Sequence, residues 1–309
     1  MRSQWNKISL TMAGVVALTV SVVFSVMPVR QLWAQSPSVN RRSVFADRPT
    51  FEVASVKPNK STDFRNMQLP QFLPGGKLVI RNVPLQMIVA AAYNLPFQST
   101  RLTGGPEWER ASGDKYDIEA TAEKGAIAPG ISTSDRNNQL RLMLQSLLEE
   151  RFKLVIRGKP KEQPVYALVV AKGAPKLQKS KLQEKDCVEA PSDSQLKCHS
   201  ISGGQGRGIH GDAVDIADVA LFVQNWTDLP VVDKTGLKDL YNIQTDGWVP
   251  MRQRPPAPDG TLQGGDAGLY DPDRQTLFDV FTELGLRMES RRAVVDMFVV
   301  EHVERPSEN

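Results

Sequence analysis

The sequence predicts an α+β fold made of two related units, each a mainly antiparallel sheet with two amphipathic helices on one face. Three observations predict it. Four segments carry a single apolar stripe at helical spacing: Leu85, Ile88, Val89 and Ala92; Leu140, Met143, Leu144 and Leu147; Ile216, Val219, Ala220 and Val223; Leu277, Val280, Phe281 and Leu284. Residues at i, i+3, i+4 and i+7 share one helix face, the pattern of a helix lying on a sheet. Short apolar runs bounded by Gly and Pro punctuate the intervals, as strands do. Finally, the order strand, helix, turn, Tyr-x-Ile strand, helix, two strands occurs once around Tyr116-Asp117-Ile118 and again around Tyr241-Asn242-Ile243.

Residues 1–34 read as a signal peptide or N-terminal anchor. Arg2 and Lys7 precede an uncharged apolar stretch from Ile8 to Val29, and Ala34 offers a small residue at a cleavage point. Basic, apolar, small is the order of a secretory signal. The apolar stretch is also near the ~20 residues that span a bilayer, so cleaved and anchored forms both fit. The body is expected to be extracytoplasmic, periplasmic or secreted, touching the membrane only through an uncleaved N-terminal segment. Residues 35–50 form a polar linker.

The first unit, residues 51–179, opens its repeat with the strand Lys77 to Arg81. Asn82 is a candidate cap for the helix that follows, with Pro84 in its first turn. After the second helix come two strands, Phe152 to Arg157 and Val165 to Ala171. Residues 180–199 join the units and hold the two cysteines, Cys187 and Cys198. In an oxidising compartment two cysteines closing a short polar loop read as a disulfide.

The second unit, residues 200–304, starts with Gly206 to His210 as a strand and a helix capped by Asp212 or Asp215. Pro230 to Ile243 reads as a β-hairpin around Thr235-Gly236, with Asp233 capping the turn and Gly236 at positive φ. Residues 250–273 are rich in Pro and Gly with hardly an apolar residue, the composition of a mobile loop. Gly285 ends the last helix, and Leu286 to Glu289 and Val294 to Val300 are the closing strands, before a tail at residues 305–309. Trp108, Tyr116 and Tyr241 lie beside turns, where large rings cover a helix–sheet junction.

Composition bounds function. A charged fraction of 24% with 40% hydrophobic residues is that of a folded globular protein, and a net charge of +3 argues against nucleic acid. No residue set is placed for catalysis, a cofactor or a metal. Gly206-Arg207-Gly208-Ile209-His210-Gly211 fits G-x-G-x-x-G, but the matching segment of the first unit is an ordinary strand. Asp233-Lys234-Thr235-Gly236 resembles a phosphorylated aspartate motif without the nucleotide domain that chemistry needs. Ser194-Gln195-Leu196-Lys197 fits S-x-x-K, yet lies in a polar loop rather than opening a buried helix. His199, His210 and His302 show no metal-ligand spacing, and Cys198-His199 lacks a second ligand pair.

Several segments occur in a recognisable combination: Leu102 to Trp108 with Tyr116 to Ala120, Glu150 to Leu154, Pro164 to Leu168, Pro230 to Leu237 and Val303 to Asn309. In these the chain resembles an uncharacterised exported family of Solibacter-type acidobacteria, over nearly all of the mature chain from about Phe51. The resemblance supplies no catalytic residues. In some relatives a similar domain is attached to a membrane metallopeptidase of the antibiotic-sensor type, which implies sensing or binding outside the membrane. The chain itself has no H-E-x-x-H. A weaker likeness of pattern is to the short N-terminal modules of secretins and TonB-dependent receptors. The expected function is therefore an exported, non-catalytic binding or docking module of the cell envelope, with an envelope protein or small ligand as partner. The alternative is an extracytoplasmic hydrolase with an unfamiliar site.

Overall fold

The computed structural model describes residues 48–97, 99–109, 113–188, 198–249, 251 and 275–306. The signal or anchor segment, nearly all of the proposed 250–273 loop and the S-x-x-K fragment lie outside the described residues. Among the described residues no helix is long and apolar enough to cross a membrane.

The described residues form a mixed α and β fold, with three mainly antiparallel four-stranded sheets and four α-helices. The first half runs β1 (Phe51–Asn59), β2 (Gln68–Leu73), β3 (Lys77–Pro84), α1 (Leu85–Ala92), β4 (Leu102–Gly104), β5 (Lys115–Ala122), α2 (Thr133–Phe152) and β6 (Val155–Val170). The second runs β7 (Gln178–Lys179), β8 (Ser200–Gly204), β9 (Gly208–Val214), α3 (Ile216–Val223), β10 (Val231–Asp233), β11 (Tyr241–Gln244), α4 (Leu277–Glu283) and β12 (Leu286–His302). The first sheet has the order β1-β5-β3-β2, the third β7-β11-β9-β8 and the central one β10-β6-β12-β4. Replacing each strand of the first sheet by the strand six places later in the chain reproduces the order of the third. The same exchange turns the central order into its own reverse.

The central sheet differs from an arrangement of one sheet for each half. Its axis is a long antiparallel ribbon of β6 and β12, paired from Val155 against His302 to Val170 against Leu286. Each strand is continuous where the sequence suggests two. Pro160 and Pro164, which look like breaks, are accommodated because β10 pairs only with Tyr166 to Leu168. Over the middle of the ribbon β6 therefore has one bonded neighbour, and proline is tolerated on such an edge.

The ribbon serves two cores. At one end Ile156, Phe298 and Val300 join Leu78, Ile80, Ile88, Tyr116, Leu144 and Phe152. At the other Leu168, Leu286 and Met288 join Ile209, Val219, Tyr241, Trp248 and Phe281. The start of β6 thus belongs to the first core and its end to the second, so the halves interlock.

Local chemistry explains the helix ends. Ser132 caps α2, and capping boxes start α3 at Asp215–Asp218 and α4 at Thr276–Asp279. Asn82 does not cap α1. Pro84 holds that position, while Asn82 is buried with φ 55°, its backbone N–H donating to Asp117 Oδ1 and its side-chain amide to the Asp63 carbonyl. The Pro230–Ile243 hairpin is also corrected: β10 joins the central sheet parallel to β6, whereas β11 pairs with β9 and β7. The two strands leave the turn for different sheets because Val231 and Tyr241 are both buried and face partners distant in sequence.

Candidate functional site

An open cleft of about 600 Å³ lies between the halves. One wall comes from β2, α1 and the loop after it, with Phe72, Met87 and Leu95, and Arg141 of α2 reaches in from the same half. The other comes from β8, α3 and the turn that follows, with Ile201, Leu221, Phe222 and Trp226. The volume falls in the range of sites for small molecules. These walls need no unusual local structure: each is the solvent-side margin of a helix whose apolar stripe faces a core.

The walls are tied together across the mouth. The Phe97 backbone N–H donates to Asn225 Oδ1 at 2.9 Å, and Asn225 Nδ2 donates to the Phe222 carbonyl at 2.9 Å. Trp226 meets Phe222 edge-on at 5.0 Å and Trp248 at 5.7 Å between ring centroids. Its ring lies so close to β8 that a Cβ added to Gly204, at φ 129°, would fall 2.6 Å from Trp226 Cζ2. Glycine is required there by both backbone and ring.

Three cationic side chains and one carboxylate line the cleft. Arg141 sits over the Phe72 ring at 5.3 Å and donates to Asn138 Oδ1 at 3.0 Å. Burial pushes its pKa down, with the Asp218 charge acting against that shift. Arg207, exposed in the β8–β9 turn, donates to the Gly203 carbonyl at 2.8 Å. His199 places Nδ1 2.7 Å from Asp218 and Nε2 2.9 Å from Glu184. The Asp218 hydrogen bond is the main cause of its pKa rising from 6.5 to about 9, and it outweighs the opposing effect of burial. At neutral pH the ring is an imidazolium.

That state decides the chemistry of the cluster. His199, Asp215 and Asp218 bring potential metal-binding atoms within 4.8 Å of one another. An imidazolium held by carboxylates on both nitrogens has no free lone pair, so a cation would have to displace a ring proton, and Asp218 also accepts the Asp215 N–H within the α3 capping box. Glu184, Cys187 and His199 also approach closely, but the Cys187 sulfur is committed to Cys198. The geometry is an ion-pair network that locks the start of α3 to the disulfide-bearing segment. A protonated ring is likewise a poor general base.

The other residues singled out from sequence lie elsewhere. Cys187 and Cys198 form a disulfide, Cα atoms 5.6 Å apart, and the Thr133 N–H donates to the Cys187 carbonyl at 2.7 Å. Tyr116 and Tyr241 are buried in the two cores, Tyr116 edge-on to Phe152 at 4.9 Å. Trp108 is half-buried beneath the Arg305 guanidinium, 4.8 Å from its ring. Asp233 Oδ1 accepts from the Thr235 N–H at 2.8 Å and the Thr235 hydroxyl at 2.7 Å, and Gly236 has φ 72°. The G-x-G-x-x-G fragment forms the β8–β9 turn and the start of β9, and of its residues Arg207 lines the cleft. None of the seven residues named before it lines the cleft. Arg141, Arg207, His199 and Trp226 were not legible as a set, because they come from α2, two turns and a loop, and only the folded chain brings them together.

Residues 86–303 match the model of a family described as protein of unknown function, DUF3738. The chain belongs to this family. The match covers both walls of the cleft except β2 and includes the whole β6–β12 ribbon, while β1, β2 and β3 of the first sheet precede it. No curated protein matches the chain, and no solved structure does.

Proposed function

We propose that the protein is an exported, non-catalytic binding module of the cell envelope whose ligand seats in the cleft between the halves. The observation that carries this reading is the cleft itself: an open concavity with aromatic walls and a few converging charged groups. Sensing or binding outside the membrane is also what the resemblance to the exported acidobacterial family implies. The N-terminal basic, apolar, small pattern supports export, and the Cys187–Cys198 disulfide fits an oxidising compartment.

Two related units remain our reading of the chain's origin. It is supported by the strand exchange and by corresponding elements, β2 with β8 and α1 with α3, facing each other across the cleft. The secretin-like and TonB-like docking comparison loses its main support, since the hairpin on which it rested is absent from the described fold.

Leu221 faces the cleft from α3 and is half-buried, so Leu221→Trp fills the cavity while leaving both cores intact. Ligand-observed NMR with a fragment library on wild type and L221W tests the reading. Fragments that bind wild type and lose binding to the folded variant support it. A library with no binders, or binders indifferent to L221W, overturns it.

A further inference from the structure

The charges in the cleft are not evenly matched. Among the described residues Asp218 is its one lining carboxylate, and that group is already committed to His199 and to the Asp215 N–H. The carboxylates behind His199 are also engaged, Glu184 with the imidazolium and Asp215 with the Asp218 N–H. Arg141 and Arg207 are left with uncharged acceptors, an Asn138 amide oxygen and the Gly203 carbonyl; among the described residues neither makes an ion pair. Asp218 acts on the half-buried Arg141 only as a charge at a distance, with no hydrogen bond between them; such a guanidinium is costly, and an anion brought into direct contact with it lowers that cost. The planar guanidinium also matches a carboxylate with two parallel N–H donors.

Around these cations the walls mix apolar groups with the polar side chains of Asn94, Asn137, Ser202 and Asn225. Leu69, Phe72, Met87, Leu95, Phe222 and Trp226 offer rings and aliphatic chains, and Arg141 itself lies on a ring face. A bare inorganic anion would leave the apolar share of this surface wet, while a neutral apolar molecule would leave the cations unmatched. We infer that the cleft takes an amphipathic carboxylate, its anionic head held between Arg141 and Arg207 and its apolar body against Phe72, Phe222 and Trp226. This rests on the cleft being the ligand site.

Decanoate, decan-1-ol and decylamine share one apolar chain and differ in head-group charge, so titration calorimetry of the full chain with each separates the two contributions. We expect decanoate to bind at least about tenfold more tightly than decan-1-ol, and decylamine to bind most weakly. Arg141→Gln and Arg207→Gln should each remove most of the decanoate preference while leaving decan-1-ol affinity unchanged. Arg207 is exposed in a turn, so R207Q remains informative should R141Q fail to fold. Equal binding of decanoate and decan-1-ol, or arginine variants that keep the preference, overturns the carboxylate inference and leaves the cleft reading standing. If none of the three probes binds, the carboxylate inference is overturned, while the fragment screen with L221W independently judges the cleft.

Discussion

Replacing His199 by glutamine removes a charge that the fold holds in place and keeps a side chain able to hydrogen-bond. The folded pKa of His199 is about 9 against 6.5 ordinarily. At about 1.4 kcal/mol per unit, this difference sets an upper limit of roughly 3 kcal/mol. Glu184 is half exposed, which screens its share of the pairing, so between about 1 and 2 kcal/mol is the expected magnitude. Because the folded pKa is raised, this stability is fully present below the unfolded pKa near 6.5 and is lost as pH rises through about 9. Urea unfolding of wild type and H199Q, repeated from about pH 6 to about pH 9.5, isolates the contribution as a difference between curves. Wild type should exceed H199Q at the acid end and converge with it at the alkaline end. A stability difference that does not change with pH across this window would refute the imidazolium assignment.

Three further outcomes follow from packing and backbone geometry. The Cys187–Cys198 bridge closes a loop of sequence separation 11, so reduction or a Cys187→Ser, Cys198→Ser double variant should cost about 3 kcal/mol in urea unfolding, less any strain in the native bridge. Unchanged stability on adding reductant would count against the bridge. Gly236→Val should lower stability by about 1–3 kcal/mol, from backbone strain alone, because nothing lies within 4 Å of an added Cβ. Asp233→Asn should cost less, since its amide oxygen still accepts from Thr235; thermal melts that reverse this order would remove the turn's structural role. Gly204→Ala should be costlier than Gly236→Val, and it should shift tryptophan fluorescence because the added methyl meets the Trp226 ring.

Much of the architecture was legible because it is written in local periodicity. All four helices fall on the apolar stripes, and Asp215 is the α3 cap that the sequence offered. What failed were inferences from local punctuation to non-local pairing. The runs Phe152 to Arg157 and Val165 to Ala171 suggest two strands, yet the single strand β6 runs through both. Asp233 to Gly236 makes the expected turn, but the strands on either side answer to partners far away in sequence. Asn82 looks like a helix cap because Pro84 follows, and the β-sheet claims it instead.

The cleft was hidden for a related reason. Arg141 is an ordinary charged position on α2 and Arg207 an ordinary turn residue; their meaning comes from having no ion-pair partner among the described residues, which sequence spacing does not encode. His199 drew attention only through its neighbour Cys198. Its partners Glu184 and Asp218 stand 15 and 19 residues away, a separation with no recognised motif.

Hydrogen exchange of the full chain, with and without the tightest-binding carboxylate, tests the ligand-binding claim most directly. The account predicts new protection concentrated in residues 69–97 and 199–226, the two walls of the cleft, and none in L221W. Protection confined to the open edge of β1, or unchanged exchange in the cleft at saturating ligand, would contradict it.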